Sequence, residues 1–127
     1  MIIRNTPRAF SNIRLADDDE AQKSEIKHLN TIKELYSRLY KINDFKKGQF
    51  VKWKPGLKNR NFPAYGEAAI ITKVMEEALY DPSENSAASP YFMEPLTLVI
   101  GELMEGDFTE YYVDGRRFEL YDPQITL

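Results

Sequence analysis

Gly48-Gln49-Phe50-Val51-Lys52-Trp53-Lys54-Pro55-Gly56 is the stretch that decides the fold. Val51 and Trp53 share one face with Gln49, while Phe50, Lys52 and Lys54 share the other. This is mostly the period-2 alternation of a strand with one buried face. Pro55 has no backbone donor and Gly56 tolerates positive φ, so the ladder is expected to stop there, and Gly48 gives a similar break at the start. Val51 and Trp53 are therefore expected to point inward, with Lys52 and Lys54 turned to water.

Downstream, the pattern stays β. A loop covers 55–66, and a strand rich in β-branched residues runs from about Ala68 to Glu77. Residues 79–95 break it: Asp81-Pro82-Ser83-Glu84-Asn85 and the following Ser and Ala are small and polar, and Tyr91-Phe92-Met93-Glu94-Pro95 brings the chain back through bulky side chains. A third strand follows over 96–103, a short hairpin turn at Glu105-Gly106-Asp107, a fourth strand over 108–113, a second turn at Asp114-Gly115, and a short last strand over 117–121. Gly101, inside the third strand, predicts a bulge or a sharp bend. Five short strands with tight turns predict a bent antiparallel sheet, and closure would place the last strand beside the first.

Upstream, the period changes. Ile26, Leu29, Ile32, Leu35, Tyr36, Leu39 and Tyr40 recur at three- and four-residue steps, predicting one amphipathic helix from Asp17 to about Ile42, closed by Asn43-Asp44. Asp17, Asp18, Asp19 and Glu20 crowd its start and Lys41, Lys46 and Lys47 its end, as the macrodipole favours. Residues 1–16 have no clear period and read as an irregular arm. The expected organisation is α+β: an arm and helix over 1–45, then a five-stranded antiparallel barrel over 46–127. A helix of about 25 residues is roughly 37 Å long, longer than a small barrel is wide. Its stripe over 26–40 must then pack on the barrel or pair with a second copy, and the favoured expectation is a protruding helix that makes at least part of a homodimer contact.

Composition narrows the function classes. The chain has 127 residues, a net charge of −3 and no cysteine, which excludes disulfides and thiolate metal sites. It has neither an apolar run of membrane-spanning length nor a signal peptide pattern, so no membrane partner and a cytoplasmic location are expected. No catalytic, metal or cofactor motif stands out.

The stretch Phe50–Gly56, then Pro63-Ala64-Tyr65-Gly66, then the strand from Ala68 to Val74, resembles the opening of small bacterial SH3-like domains. The order of a Gly-initiated strand, a long loop ending in Pro-x-Tyr and a β-branched strand is similar, distantly, to the C-terminal barrel of the nitrile hydratase β subunit. Ser89-Pro90-Tyr91-Phe92 and Asp114-Gly115-Arg116-Arg117-Phe118-Glu119 look more like a family of uncharacterised bacterial proteins with the same barrel. The resemblance implies an SH3-like β-barrel and a binding or assembly role without naming a ligand.

Two constellations carry candidate function. Loop aromatics Phe62, Tyr65, Tyr91 and Phe92 could hold an extended protein or peptide segment, or they could simply anchor their loops. Residues 44–66 hold six cations against Asp44 alone. Lys52, Lys54, Lys58 and Arg60, joined by Arg116 and Arg117 if the last strand returns to the first, predict a basic surface for nucleic acid, with charge for phosphate and rings for stacking. The plainer alternative is a solvated strand face balanced by acids elsewhere. Trp53 and Phe118 are expected in the core. His28 reads as a surface residue and the acids at 17–20 as helix capping. The favoured reading is a non-catalytic binding or assembly module, and the alternative is a nucleic-acid-binding protein.

Overall fold

A computed structural model describes residues 15–124; residues 1–14 of the irregular arm expected over 1–16 and the last three residues of the tail lie outside the described residues, and the helix begins at Leu15 rather than Asp17. The order of elements is α1 (Leu15–Leu39), β1 (Phe50–Trp53), β2 (Ala69–Leu79), β3 (Leu96–Met104), β4 (Asp107–Val113), a 3-10 turn (Gly115–Arg117) and β5 (Phe118–Tyr121). The strands form one antiparallel sheet in the order β4-β3-β2-β1-β5. The α+β class and the five strands match the sequence expectation, and β5 does return to β1. The sheet is not closed: β4 and β5 are its edges and do not pair with each other.

Two compact units are present, Met1–Tyr36 and Ser37–Leu127. In the first, α1 carries acidic Asp18, Asp19 and Glu20 in its early turns and an apolar stripe in which Ile26, Leu29 and Ile32 are each at least half exposed. Among the described residues no helix is long and apolar enough to cross a membrane.

The second unit is built on the alternation read from the sequence. Val51 and Trp53 of β1, Ala69 and Ile71 of β2, Leu98 and Ile100 of β3, Val113 of β4 and Phe118 of β5 form one buried cluster, with Phe45 and Tyr111 packed against it. Trp53 lies opposite Phe118 in the β1–β5 register, and their rings stack at 4.2 Å and 26°. Past Ile71 the alternation in β2 decays. The β2–β3 register slips between Ile71 and Lys73 and again between Val74 and Leu79, and Lys73, Val74, Glu76 and Glu77 are exposed.

Three local expectations need correction. Lys54 does not point to water: it is 2% exposed, and its Nζ donates to the carbonyl oxygens of Arg38 at 2.5 Å and Lys41 at 2.9 Å. An ammonium delivered from the end of β1 thus meets carbonyls at the negative end of α1. Burial pushes the Lys54 pKa below its ordinary value, partly offset by the charge of Glu119. The same contact accounts for the second correction, a helix that ends at Leu39 rather than near Ile42, with Lys41 N–H donating back to Arg38 O at 3.3 Å. Third, Gly101 is not a bulge in its pairing with β4, where the register runs unbroken from Leu98↔Val113 to Met104↔Asp107. A Cβ at position 101 would fall 2.3 Å from the Phe108 ring, so any side chain there would have to displace that ring, which lies across the strand.

The turns also divide. Glu105 and Gly106 have φ of +53° and +87°, the positive pair that a two-residue hairpin needs, and they join β3 to β4 as expected. Asp114-Gly115 also turns the chain as expected, by opening a 3-10 turn rather than a hairpin. The Asp114 carboxylate accepts from Arg116 N–H at 3.0 Å, capping the 3-10 turn that carries the chain across to β1.

Candidate functional site

The loop between β1 and β2 and the loop between β2 and β3 are far apart in sequence but are tied together side by side. Tyr91 Oη donates to the carbonyl of Asn59 at 2.9 Å, and Asn59 Nδ2 donates to Glu94 Oε2 at 2.6 Å. Arg60 pairs with Glu94 Oε1 and lays its guanidinium 4.0 Å from the centre of the Tyr91 ring. From the 3-10 turn, Arg117 Nη1 donates to Leu57 O at 3.1 Å, and its Nε stands 3.9 Å from Glu94 and 3.7 Å from Asp114. Arg116 completes the row with two parallel contacts to Asp114, Nε at 3.1 Å and Nη2 at 2.8 Å, and donates from Nη1 to Tyr40 Oη at 3.1 Å. Three guanidinium groups thus alternate with two carboxylates. The carboxylates are buried and the guanidinium groups part-exposed. The hydrogen bond to Asp114, helped by that carboxylate's charge and partly offset by burial, pushes the Arg116 pKa above its ordinary value.

Each loop has internal support as well. Trp53 Nε1 donates to Pro63 O at 2.6 Å, drawing the buried Pro63, which follows a cis peptide bond, against the core. Lys58 N–H donates to Tyr65 Oη at 3.3 Å. Within 80–95, Ser83 N–H donates to Asp81 Oδ1 at 2.9 Å and Ser89 Oγ to Glu84 Oε1 at 2.5 Å, so the small polar run is a series of closed turns.

The four loop aromatics take two roles. Tyr91 is half-buried and works as a strut through Asn59 and Arg60, whereas Phe62, Tyr65 and Phe92 are 53%, 55% and 40% exposed on the loops that the strut holds. The five cations are dispersed in function. Lys54 is buried against the end of α1, Arg60 is paired with Glu94, and Arg116 is paired with Asp114. Lys52 lies 3.7 Å over the Tyr121 ring and Lys58 5.8 Å over Tyr65. Asn59, Glu94 and Asp114 carry no site role in the sequence reading, and Arg117 enters it only with Arg116 as a possible addition to the basic surface. The available signals were a lone acid inside the apolar re-entry Tyr91–Pro95 and an Asp two residues before an Arg at a Gly turn.

With both carboxylates held by arginines, the network braces two loops and a turn and offers no free acid–base pair. Among the described residues no group of three or more His, Asp or Glu is placed to hold a metal ion. A cleft of about 400 Å³ is lined by residues 39–45 together with Met75 of β2, Leu98 of β3 and Arg116 of the 3-10 turn. Compared with known protein families, curated proteins and solved structures, the chain matches none.

Proposed function

We propose that the protein is a non-catalytic binding and assembly module, recognising an extended protein or peptide segment through Phe62, Tyr65 and Phe92. The observation that carries this reading is the brace under them. Arg60–Glu94 and Tyr91–Asn59 join the two loops, so apolar rings are presented on a surface ordered before binding, which lowers the entropy lost on capture. The fold that goes with the reading is a partly open SH3-like barrel. Its support is the strand order, the return of β5 to β1 and the 3-10 turn placed just before β5. Proline-rich extended peptides are the first probe. Amide shifts on titration are expected in 57–66 and 89–95, and the Tyr65→Ala/Phe92→Ala pair is expected to weaken binding by about tenfold or more with the fold unchanged. Shifts confined to other residues, or salt-sensitive capture of single-stranded nucleic acid in place of peptide, would overturn the reading.

The assembly half rests on α1. Ile26, Leu29 and Ile32 are at least half exposed at helical spacing, and Leu29 lies midway between the acidic early turns at 18–20 and basic Arg38. An antiparallel pairing with a second copy covers the stripe and sets acidic turns against basic ones. Ile32→Lys is expected to convert a dimer to a monomer in light scattering; a wild-type chain that stays monomeric at high concentration removes this half of the proposal.

A further inference from the structure

β4 is an outer strand. It pairs with β3 on one side, and among the described residues it makes no backbone hydrogen bond on the other. Natural sheets protect such edges with charged side chains, lysine above all, or with proline, bulges or very short strands. β4 has no lysine, proline or bulge: it is seven residues long, Asp-Phe-Thr-Glu-Tyr-Tyr-Val, its register to β3 is unbroken, and its only charges are the acids Asp107 and Glu110. Its solvent face is a row of Phe108, Glu110 and Tyr112, all exposed, beside Leu103 of β3, which is 72% exposed. Phe108 is seated across Gly101, where any side chain would displace it.

Charge selects among occupants. Residues 96–115 contain five acids, Glu102, Glu105, Asp107, Glu110 and Asp114, and no Lys, Arg or His. Glu102 accepts from Tyr111 Oη at 2.7 Å, and Asp114 is held by Arg116. Glu105, Asp107 and Glu110 remain exposed along the hairpin and the edge. Glu110 stands at the middle of β4, so antiparallel pairing of two copies centred on the strand would set Glu110 against Glu110, and like charges directly opposite destabilise a ladder.

We infer that β4 is a docking edge for a basic, extended segment of a partner protein, which adds to the sheet as a sixth strand. The ladder supplies main-chain hydrogen bonds, and alternate side chains supply specificity. Opposite the row Phe108–Glu110–Tyr112, the incoming strand carries the pattern apolar–x–Lys/Arg–x–apolar: the cation meets Glu110, and the flanking apolar residues meet the two rings. This surface is separate from the loop aromatics of the proposed peptide site, and its residues report independently.

The test is a titration of the full chain with a synthetic peptide centred on Val-Thr-Lys-Thr-Val, followed by backbone amide shifts and hydrogen exchange. Shifts and slowed exchange are expected across 107–113, lost when the peptide backbone is N-methylated. Glu110→Lys, at an exposed position, is expected to weaken the Lys peptide by about tenfold and to accept the Lys→Glu peptide instead; its unchanged amide spectrum outside β4 confirms folding. Changes confined to the 57–66 and 89–95 loops, indifference to the charge swap, or self-association through 107–113 without peptide would each overturn the inference.

Discussion

Phe118→Ala is expected to destabilise the folded state by about 3–5 kcal/mol, the range for emptying an aromatic site in a packed core. Phe118 is fully buried in the core cluster. Trp53 stacks on it at 4.2 Å from directly across the β1–β5 ladder, and Trp53 is itself fixed by the hydrogen bond from Nε1 to Pro63 O. A loss of this size is a large share of the roughly 5–15 kcal/mol that holds a domain together. Urea unfolding followed by Trp53 fluorescence measures it, as a lower midpoint with little change in slope. The loop beyond Trp53 is expected to respond too. With the indole released, Pro63 loses its anchor, and amides of 57–66 are expected to exchange faster than those of β3 and β4. A loss below about 1 kcal/mol would mean that the stacked pair is not the centre of the core.

How far the sequence can be read depends on where each partner lies. Val51 and Trp53, Leu98 and Ile100 are legible because a strand with one buried face repeats every two residues, and the burial pattern returns that period directly. α1 is legible because its stripe and its charged ends agree. Lys54 is not, because a lysine beside Pro55 reads as solvated until the carbonyls of Arg38 and Lys41 are brought to it by the turn of the chain. That single contact also hides where the helix ends. Gly101 shows that something small is needed but not that the ring across the ladder is the reason. The loop aromatics could be assigned to loops by their Pro and Gly neighbours. Separating Tyr91, a strut, from Phe62, Tyr65 and Phe92, which stay exposed, required Asn59 and Arg60 in place. Past Ile71, β2 keeps its β-branched composition while its register slips, so composition alone extends the strand without marking where the core stops.

Glu94 is the test of whether those struts matter. Its carboxylate is buried between Arg60 and Arg117 and accepts from Asn59 as well, so one side chain joins both loops and the 3-10 turn. Removing one partner of a buried ion pair leaves the others as uncompensated charge, which typically costs 3–5 kcal/mol. Arg60 and Arg117 keep part of their surface in water, and the expected loss for Glu94→Ala is therefore about 2–4 kcal/mol. Glu94→Gln keeps the shape and one acceptor but not the charge, and is expected to lose less. Arg60→Met in each background separates the pair from its surroundings. If Arg60 and Glu94 act together, the double variant falls short of the sum of the singles by about 1 kcal/mol or more. Stability alone would not connect the brace to recognition. The decisive comparison is peptide affinity under conditions where Glu94→Gln is still fully folded. There the loops are expected to lose their mutual fixation while Phe62, Tyr65 and Phe92 remain unchanged, so binding weakens through greater ordering cost rather than lost contact. Unaltered affinity in that variant would show that the rings need no brace, and the preorganisation argument would fall even if Glu94→Ala unfolded the protein.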